Sequence, residues 1–247
     1  MKEFNNVPVI LFGADSFFIL NEELAKKYSF PKKYLIPILS SSKEFTGLFL
    51  NGNVPSKKLI TLPVNGSDKF KDYILKGVKL RYHLRAHSLL REPWYCVDQG
   101  KVPDAFFPYR AMRIPYMVLN NNDAQCTNSI HRVYFNEKLS ITEKKWIQVS
   151  LLSIPGQLSI EARSKIYGSG VLKIEPSSLK SAIVYKCNDK SVNIVCDKVS
   201  KHLSLNQKMD AMYRATEFIN ERLNISKKLS DKAYSALIEL QNRRLNR

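Results

Sequence analysis

The chain has 247 residues and 44% hydrophobic content, so it is long enough to bury a core of its own without disulfide or metal support. Lysine and arginine outnumber aspartate and glutamate by 39 to 22, which gives a formal charge of +17 and a pI near 9.7. This charge is far from the balance of an ordinary cytosolic enzyme and favours a polyanionic partner, with a basic surface that serves only solubility as the alternative.

The four cysteines exclude the usual cysteine-based zinc sites. They form no CxxC pair and have no zinc-knuckle spacing with the four histidines, so we expect free thiols in a reducing cytoplasm. The apolar run VPVILFG (7–13) is too short for a signal peptide or a membrane span. The sequence therefore predicts a cytoplasmic protein with no membrane partner.

The first half of the chain predicts a loop-rich sheet. VPVILFG is typical of a buried strand, and NEELAKKYSF (21–30) of a short helix or turn that ends before Pro31. Frequent proline and glycine then leave room only for short strands and one helix around 67–77. The strand candidates are LFLNG (48–52), KLITLPV (58–64), WYCV (94–97) and IPYMVLN (114–120).

The second half mixes strands with helices. TNSIHRVYF (127–135) and VLKIEP (171–176) predict strands, as does SVNIVCDKV (191–199). Residues 142–165 carry apolar positions at helical spacing, with Thr142 as N-cap and a break at Pro155-Gly156, which predicts two helical pieces.

The C-terminal residues predict two antiparallel helices, 205–223 and 230–245, with Asn206 and Ser230 as caps. The final QNRRLNR (241–247) is typical of a frayed, solvated helix end. Together the elements predict an α+β fold with a mixed or antiparallel sheet and loop insertions. We expect one domain over 1–200 and a helical hairpin or tail over 201–247.

The densest group of basic and aromatic residues is RYHLRAHSLLREPWY (81–95). Guanidinium groups bind phosphates or the guanine edge in a bidentate manner, and neighbouring aromatic rings stack on bases or sugars. In the alternative interpretation, the arginines pair with carboxylates such as Glu92 and the aromatic rings belong to the core. The DNA-binding candidates in this segment are Arg81, His83, Arg85, Arg91 and Tyr95.

Three further segments add candidates. In TNSIHRVYF, alternation places His131 and Arg132 on opposite faces of a strand, one of which is core. In IYGSGVLK (166–173), two glycines allow the backbone to approach another surface, although a tight structural turn explains them equally well. FFPYRAMRIP (106–115) supplies two arginines beside aromatic rings, although the default interpretation is an apolar anchor whose arginines are solvated. The candidates are Arg110, Arg113, Asn128, His131, Arg132, Tyr134, Tyr167, Ser169 and Lys173.

These segments, in this order and spacing over roughly 13–176, resemble the C-terminal target-recognition region of prokaryotic N6-adenine DNA methyltransferases, which include the Taq-type and Eco57-type enzymes. The family has a YGGG-type turn followed by a KLEP-like strand end. Here Ser169 replaces the middle glycine, while Lys173, Glu175 and Pro176 keep the pattern. The resemblance implies that the chain reads double-stranded DNA for an adenine-specific methyltransferase of a restriction-modification system.

The catalytic motifs of that family are missing from the sequence. There is no glycine-rich loop for S-adenosylmethionine and no N/D-P-P-Y/F tetrad, since FFPYR and REPWY each have a single proline before an aromatic residue. We therefore expect no catalytic residue and no cofactor in this chain. S-adenosylmethionine would bind to a catalytic methyltransferase domain or subunit, and the chain would not methylate DNA alone.

Two other functions remain open from the sequence. Pro103-Asp104 and Glu143-Lys144-Lys145 spell a loose PD…ExK pattern, which in a nuclease subunit holds Mg²⁺ near the scissile phosphate. The third hypothesis is a non-catalytic scaffold whose tail helices bind a protein and whose basic surface is incidental.

Overall fold

A computed structural model describes residues 14–50, 55–65, 68–136 and 138–246. The strand predicted at 7–13 lies outside these residues. Short strands occupy the first two thirds of the described chain, and long helices the rest. The helices are α1 (Asp15–Phe18), α2 (Glu22–Lys27), α3 (Asp68–Lys79), α4 (Ile141–Leu152), α5 (Ile154–Arg163), α6 (Pro176–Lys180), α7 (Val192–Ser204), α8 (Lys208–Arg222) and α9 (Lys227–Leu245).

The strands of the described residues form three small sheets. They are β1 (Ile19–Leu20), β2 (Leu35–Leu39), β3 (Lys58–Ile60), β4 (Ala105–Pro108), β5 (Arg110–Ala111), β6 (Val118–Leu119), β7 (Gln125–Cys126), β8 (Ile130–Val133), β9 (Lys165–Ile166) and β10 (Leu172–Lys173). The sheet orders are β1-β3-β2-β7, β6-β4-β8 and β5-β10-β9. Among the described strands, all pairings are antiparallel except β2 with β7, so the α+β class with mixed and antiparallel sheets is confirmed.

In the described residues, three hydrophobic clusters hold these sheets and helices together. One lies at the N-terminal sheet, where α1 and α3 pack on β1 to β3 through rings such as Phe17, Phe18 and Phe70. A second lies between the β6-β4-β8 sheet and one side of α4. The third and largest joins the other side of α4 to α7, α8 and α9 through Trp146 and its neighbours. Helix α4 is therefore buried on both sides, which explains why apolar residues surround it.

Several predicted elements are confirmed with small shifts. The helical break near Pro155 is present: α4 ends at Leu152, and α5 starts with Pro155 in its first turn. The cap of α4 is Ser140 rather than Thr142, because Ser140 and Glu143 form a reciprocal capping box. The caps of α8 and α9 are Gln207 and Ser226, one residue after and four residues before the expected Asn206 and Ser230.

The strand predicted at 191–199 is wrong, because these residues form helix α7. The β-branched side chains suggested a strand, but Val192, Val195, Cys196 and Val199 are buried and recur at the i, i+3, i+4, i+7 spacing of a helix face. WYCV (94–97) is also not a strand. Its Trp94 ring packs 4.9 Å from the ring of Phe17 instead. In LFLNG, the described part contributes a single bridge from Phe49 to Leu119.

The C-terminal helices are integral to the largest cluster. Ala211, Met212, Ala215, Ile219 and Leu237 are buried beside residues of α4 and α7. The domain boundary predicted at residue 200 falls inside α7, and the division into 1–200 and 201–247 stays a prediction. No helix in the described part of the chain is long and apolar enough to cross a membrane.

Candidate nucleic-acid interface

Three cationic side chains lie in one row across the β5-β10-β9 sheet. The antiparallel register places Lys173 opposite Arg110 on one side and opposite Lys165 on the other. Residues directly opposite each other on neighbouring strands project from the same face of a sheet. Arg110, Lys173 and Lys165 therefore form a single line of positive charge, which we call the basic row.

Two tyrosine rings flank the basic row. The Arg110 guanidinium carbon lies 5.6 Å from the Tyr109 ring centre and 5.3 Å from that of Tyr167. Lys173 Nζ lies 5.6 and 5.1 Å from the same two rings. Each cation is thus within the range of a cation–π contact with both rings. Because Tyr167 remains 41% exposed, its ring also offers a surface on which a base or sugar can stack.

The electrostatics keep the basic row positive. Glu175 accepts ion pairs from Lys165 and Lys173, each at 3.1 Å, and these lysines hold the pKa of its carboxyl below the usual value. Hydrogen bonds to Tyr167, Tyr109 and Glu175 raise the pKa of Lys173, so its ammonium stays charged at neutral pH. Three cations beside one carboxylate leave two net positive charges on this face.

His131 contacts two residues that adjoin the basic row, Ile174 and Tyr109. Its Nε2–H donates to the carbonyl oxygen of Ile174 over 2.6 Å, and its ring meets the Tyr109 ring edge-on at 5.2 Å. Burial lowers the pKa of His131, against the opposing effect of that hydrogen bond, so the imidazole is neutral at pH 7. In the turn before His131, Asn128 is exposed, and the next residue, Ser129, accepts a backbone hydrogen bond from Tyr109.

The turn after Tyr167 is fixed by the C-terminal helix. Ser169 and Gly170 have φ of 59° and 68°, and Gly170 has no room for a side chain because the backbone of Arg244 lies against it. The Arg244 guanidinium pairs with Glu161 and donates to the carbonyl oxygens of Gly170 and Met112.

The prediction that 241–247 is a solvated helix end is therefore wrong at Arg244, whose side chain is only 1% exposed. Its partners lie far away in sequence, and no local signal reveals them.

The second predicted group, in the segment 81–95, does not join the basic row. It surrounds the N-terminal aromatic cluster, where the Arg91 guanidinium lies 5.2 Å from the Phe18 ring and Tyr95 donates to the carbonyl oxygen of Val64. The His83 ring lies 6.1 Å from that of Trp94. The exposed members of this group are Arg81 and Arg85.

Arg132 and Tyr134 also lie apart from the basic row. Arg132 Nη2 donates to the carbonyl oxygen of Cys126, and the buried Tyr134 hydroxyl donates to that of Lys101. Alternation predicted one solvent face for this strand, but Ile130 and Val133 are both buried, so packing covers both faces. The roles of these residues in DNA binding stay predictions.

The carboxylates of the nuclease hypothesis serve structural contacts. Asp104 pairs with Lys144 at 3.1 Å and accepts from the backbone N–H of Phe135, while Glu143 caps α4 through Ser140. Across the described residues, no group of three or more histidine, cysteine, aspartate or glutamate side chains is arranged to hold a metal ion. The geometry of Asp104 and Glu143 thus gives the nuclease hypothesis no support.

Comparison with known proteins relates the chain to one protein family and to two longer proteins. The family model for the C-terminal domain of the type II methyltransferase M.Eco57I matches residues 2–227. The type II methyltransferase M.AccI of Acinetobacter calcoaceticus is 26% identical over 239 residues, which cover 89% of this chain and 42% of M.AccI. The crystal structure of the type IIG restriction endonuclease BpuSI matches with a TM-score of 0.50 and 14% identity, over 99% of this chain and 29% of BpuSI. This last likeness is one of fold, and the chain spans less than half of either relative.

Proposed function

Because the chain belongs to the family of C-terminal domains of type II methyltransferases represented by M.Eco57I, we propose that it recognises double-stranded DNA for an adenine-specific methyltransferase of a restriction-modification system. The family match relates the chain to type II methyltransferases of restriction-modification systems, and the basic row supports a DNA-recognition role in such a system. Reading DNA is a task of phosphate neutralisation and base-edge contact, which needs cations and aromatic rings on one surface.

The basic row with its two tyrosines is the observation that carries this proposal. Arg110 is exposed and presents a guanidinium suited to the O6 and N7 atoms of guanine or to a phosphate. Tyr167 offers a ring for stacking, and the amide of Asn128 matches the N6 and N7 edge of adenine. The buried Arg244–Glu161 pair and His131 hold this surface in a defined shape, as base reading requires.

We assign the chemical step to the part of the relatives that this chain does not span. The chain matches 42% of M.AccI, and the remaining portion has the length to contain a catalytic methyltransferase domain. That domain would bind S-adenosylmethionine and receive the flipped adenine, while the present chain holds the flanking duplex. Double-stranded DNA and a catalytic methyltransferase domain or subunit are therefore the proposed partners.

The test is a DNA-binding titration as a function of salt, after selection of preferred duplexes from a random-sequence library. We expect the logarithm of the affinity to fall with the logarithm of the salt concentration by about 0.9 per neutralised phosphate. Arg110→Ala and Lys173→Ala should each cost about 1–3 kcal/mol where the side chain reads a base.

Lys27→Ala, an exposed lysine outside the basic row, serves as the matched control and should bind as the unmodified chain does. A shallow salt dependence together with no preferred duplex would refute the proposed function.

A further inference from the structure

A groove adjoins the basic row at Arg110. It lies between strand β5, the 3-10 turn Ser42–Glu44 and the first residue of α8, and it encloses about 440 Å³. Arg110 belongs both to the basic row and to the rim of the groove. A molecule bound along the basic row therefore reaches the rim of this groove at Arg110.

Four cationic side chains line the groove. Lys43, Arg110, Arg113 and Lys208 come from separate segments of the chain, and no aspartate or glutamate is among the lining residues. In the part of the chain that the structure describes, none of these four forms an ion pair with a carboxylate. Like charges gathered without a counterion repel one another, and a bound anion relieves this repulsion.

The apolar floor of the groove strengthens the electrostatic field of the cations that line it. Phe45 and Tyr116 are buried there, and the Tyr116 hydroxyl donates to the carbonyl oxygen of Phe45 over 2.8 Å. Burial raises the pKa of Tyr116 to about 12, so the phenol adds no negative charge at neutral pH. Lys208 Nζ lies 5.7 Å from the centre of the Tyr116 ring, which holds the ammonium against an apolar wall. Charge beside an apolar floor is less screened than charge in open water.

We propose that this groove binds backbone phosphates of the duplex next to the bases that the basic row contacts. The inference rests on the proposed function and adds a site to it, since Lys43 and Lys208 lie outside every segment that the sequence singled out for DNA contact. The ligand class is a phosphodiester, which matches cations that have no carboxylate partner and a groove continuous with a reading surface. The start of α8 thereby becomes part of the DNA-binding surface.

The experiment compares two charge-matched double variants of the whole chain. Lys43→Gln with Lys208→Gln removes two groove charges, and Lys27→Gln with Lys198→Gln removes two exposed charges on α2 and α7. Binding to a labelled duplex is measured over a series of salt concentrations. We expect the groove variant to lose about 0.9 in salt slope per lysine, or about 1.8 in all, while the control keeps the slope of the unmodified chain. Arginine at both groove positions, Lys43→Arg with Lys208→Arg, should keep the slope.

The outcomes separate this inference from the proposed function. Suppose that the unmodified chain binds duplex DNA with a steep salt slope and that both double variants keep this same slope. The groove then does not bind DNA phosphates, while the proposed function stands. If the unmodified chain shows no salt-dependent duplex binding, both proposals fall.

A further measurement follows thermal unfolding with sodium phosphate at constant ionic strength. Stabilisation by inorganic phosphate that the groove variant loses, together with unchanged DNA slopes, would make the groove a site for a free anion and overturn the inference.

Discussion

At the scale of single residues, His131 has a pKa that depends on both its hydrogen bond and its burial. Its ring joins strand β8 to the residue after β10, and it lies against Tyr109, one of the two tyrosines that flank the basic row. Burial favours the uncharged imidazole. A protonated ring at this position would add a buried charge beside Tyr109, whose ring also contacts Arg110 and Lys173, and burial disfavours this by lowering the pKa of His131.

The pKa of His131 predicts a pH dependence of stability. The pKa of His131 in the folded state lies below the ordinary histidine value of 6.5, so above that pH both states are neutral and the group contributes nothing. As the pH falls below 6.5, the unfolded state takes up a proton that the folded state does not. The free energy of unfolding should then fall, by at most about 1.4 kcal/mol per pH unit, until the folded value is reached.

Chemical denaturation measures the free energy of unfolding of the unmodified chain and of His131→Gln between neutral pH and about pH 5. The difference between the two profiles isolates the histidine, because the other titrating groups are common to both. Parallel profiles would contradict the assignment.

At the scale of elements, the last turn of α9 stabilises the turn that follows Tyr167. Arg244 reaches across to Glu161 on α5 and to the carbonyl oxygens of Gly170 and Met112. A guanidinium has five N–H donors in a fixed plane, so one side chain satisfies acceptors on three segments. The C-terminal helix therefore sets the position of the loop beside the basic row, although it lies far from that loop in sequence.

Breaking this contact should be costly. Arg244→Met leaves the Glu161 carboxylate, 6% exposed, buried without its partner, and we expect a loss of about 3–5 kcal/mol in the free energy of unfolding. The neighbour supplies the control: Arg243 pairs with Glu239 on the exposed face of the same helix, so Arg243→Met should cost about 0–1 kcal/mol. Denaturant titration measures both variants, and equal losses would show that burial of the Arg244 pair has no special effect.

At the scale of the whole molecule, the C-terminal helices share one hydrophobic core with the strands and helices that precede them. Met212, Phe218, Ile219 and Leu237 bury their side chains in the cluster that also contains Trp146 of α4. Each buried side chain of this size contributes about 1.5–3 kcal/mol. The four together approach the net stability of a typical domain, which is about 5–15 kcal/mol.

Removal of residues 201–247 should therefore prevent cooperative folding. The truncated chain would expose apolar surface of α4 and α7, and we expect binding of a hydrophobic dye and loss of a sharp thermal transition. Co-expression of 201–247 as a separate polypeptide is the control and should restore a folded complex. A truncated chain that unfolds cooperatively on its own would instead support the predicted division of the chain at residue 200.

Some properties of this protein follow from its sequence alone. These properties are local or compositional, so they need no knowledge of packing. They are the net charge, the absence of zinc-ligand spacing, the short strands, the helical break near Pro155 and the family resemblance. The resemblance in particular depends on the order of segments along the chain. Local patterns fail where two signals compete, as in 191–199, where β-branched residues favoured a strand while burial spacing and contacts with α8 produced a helix.

Only the tertiary structure decided which cations act together. Arg110, Lys173 and Lys165 become one row through strand register, and Lys43 and Lys208 meet in one groove through the packing of α8. The densest basic and aromatic segment of the sequence is 81–95, yet in the structure His83 and Arg91 of this segment contact the N-terminal aromatic cluster. Composition states how much charge a chain carries. Where that charge gathers depends on contacts between residues distant in sequence, which form only when the core packs.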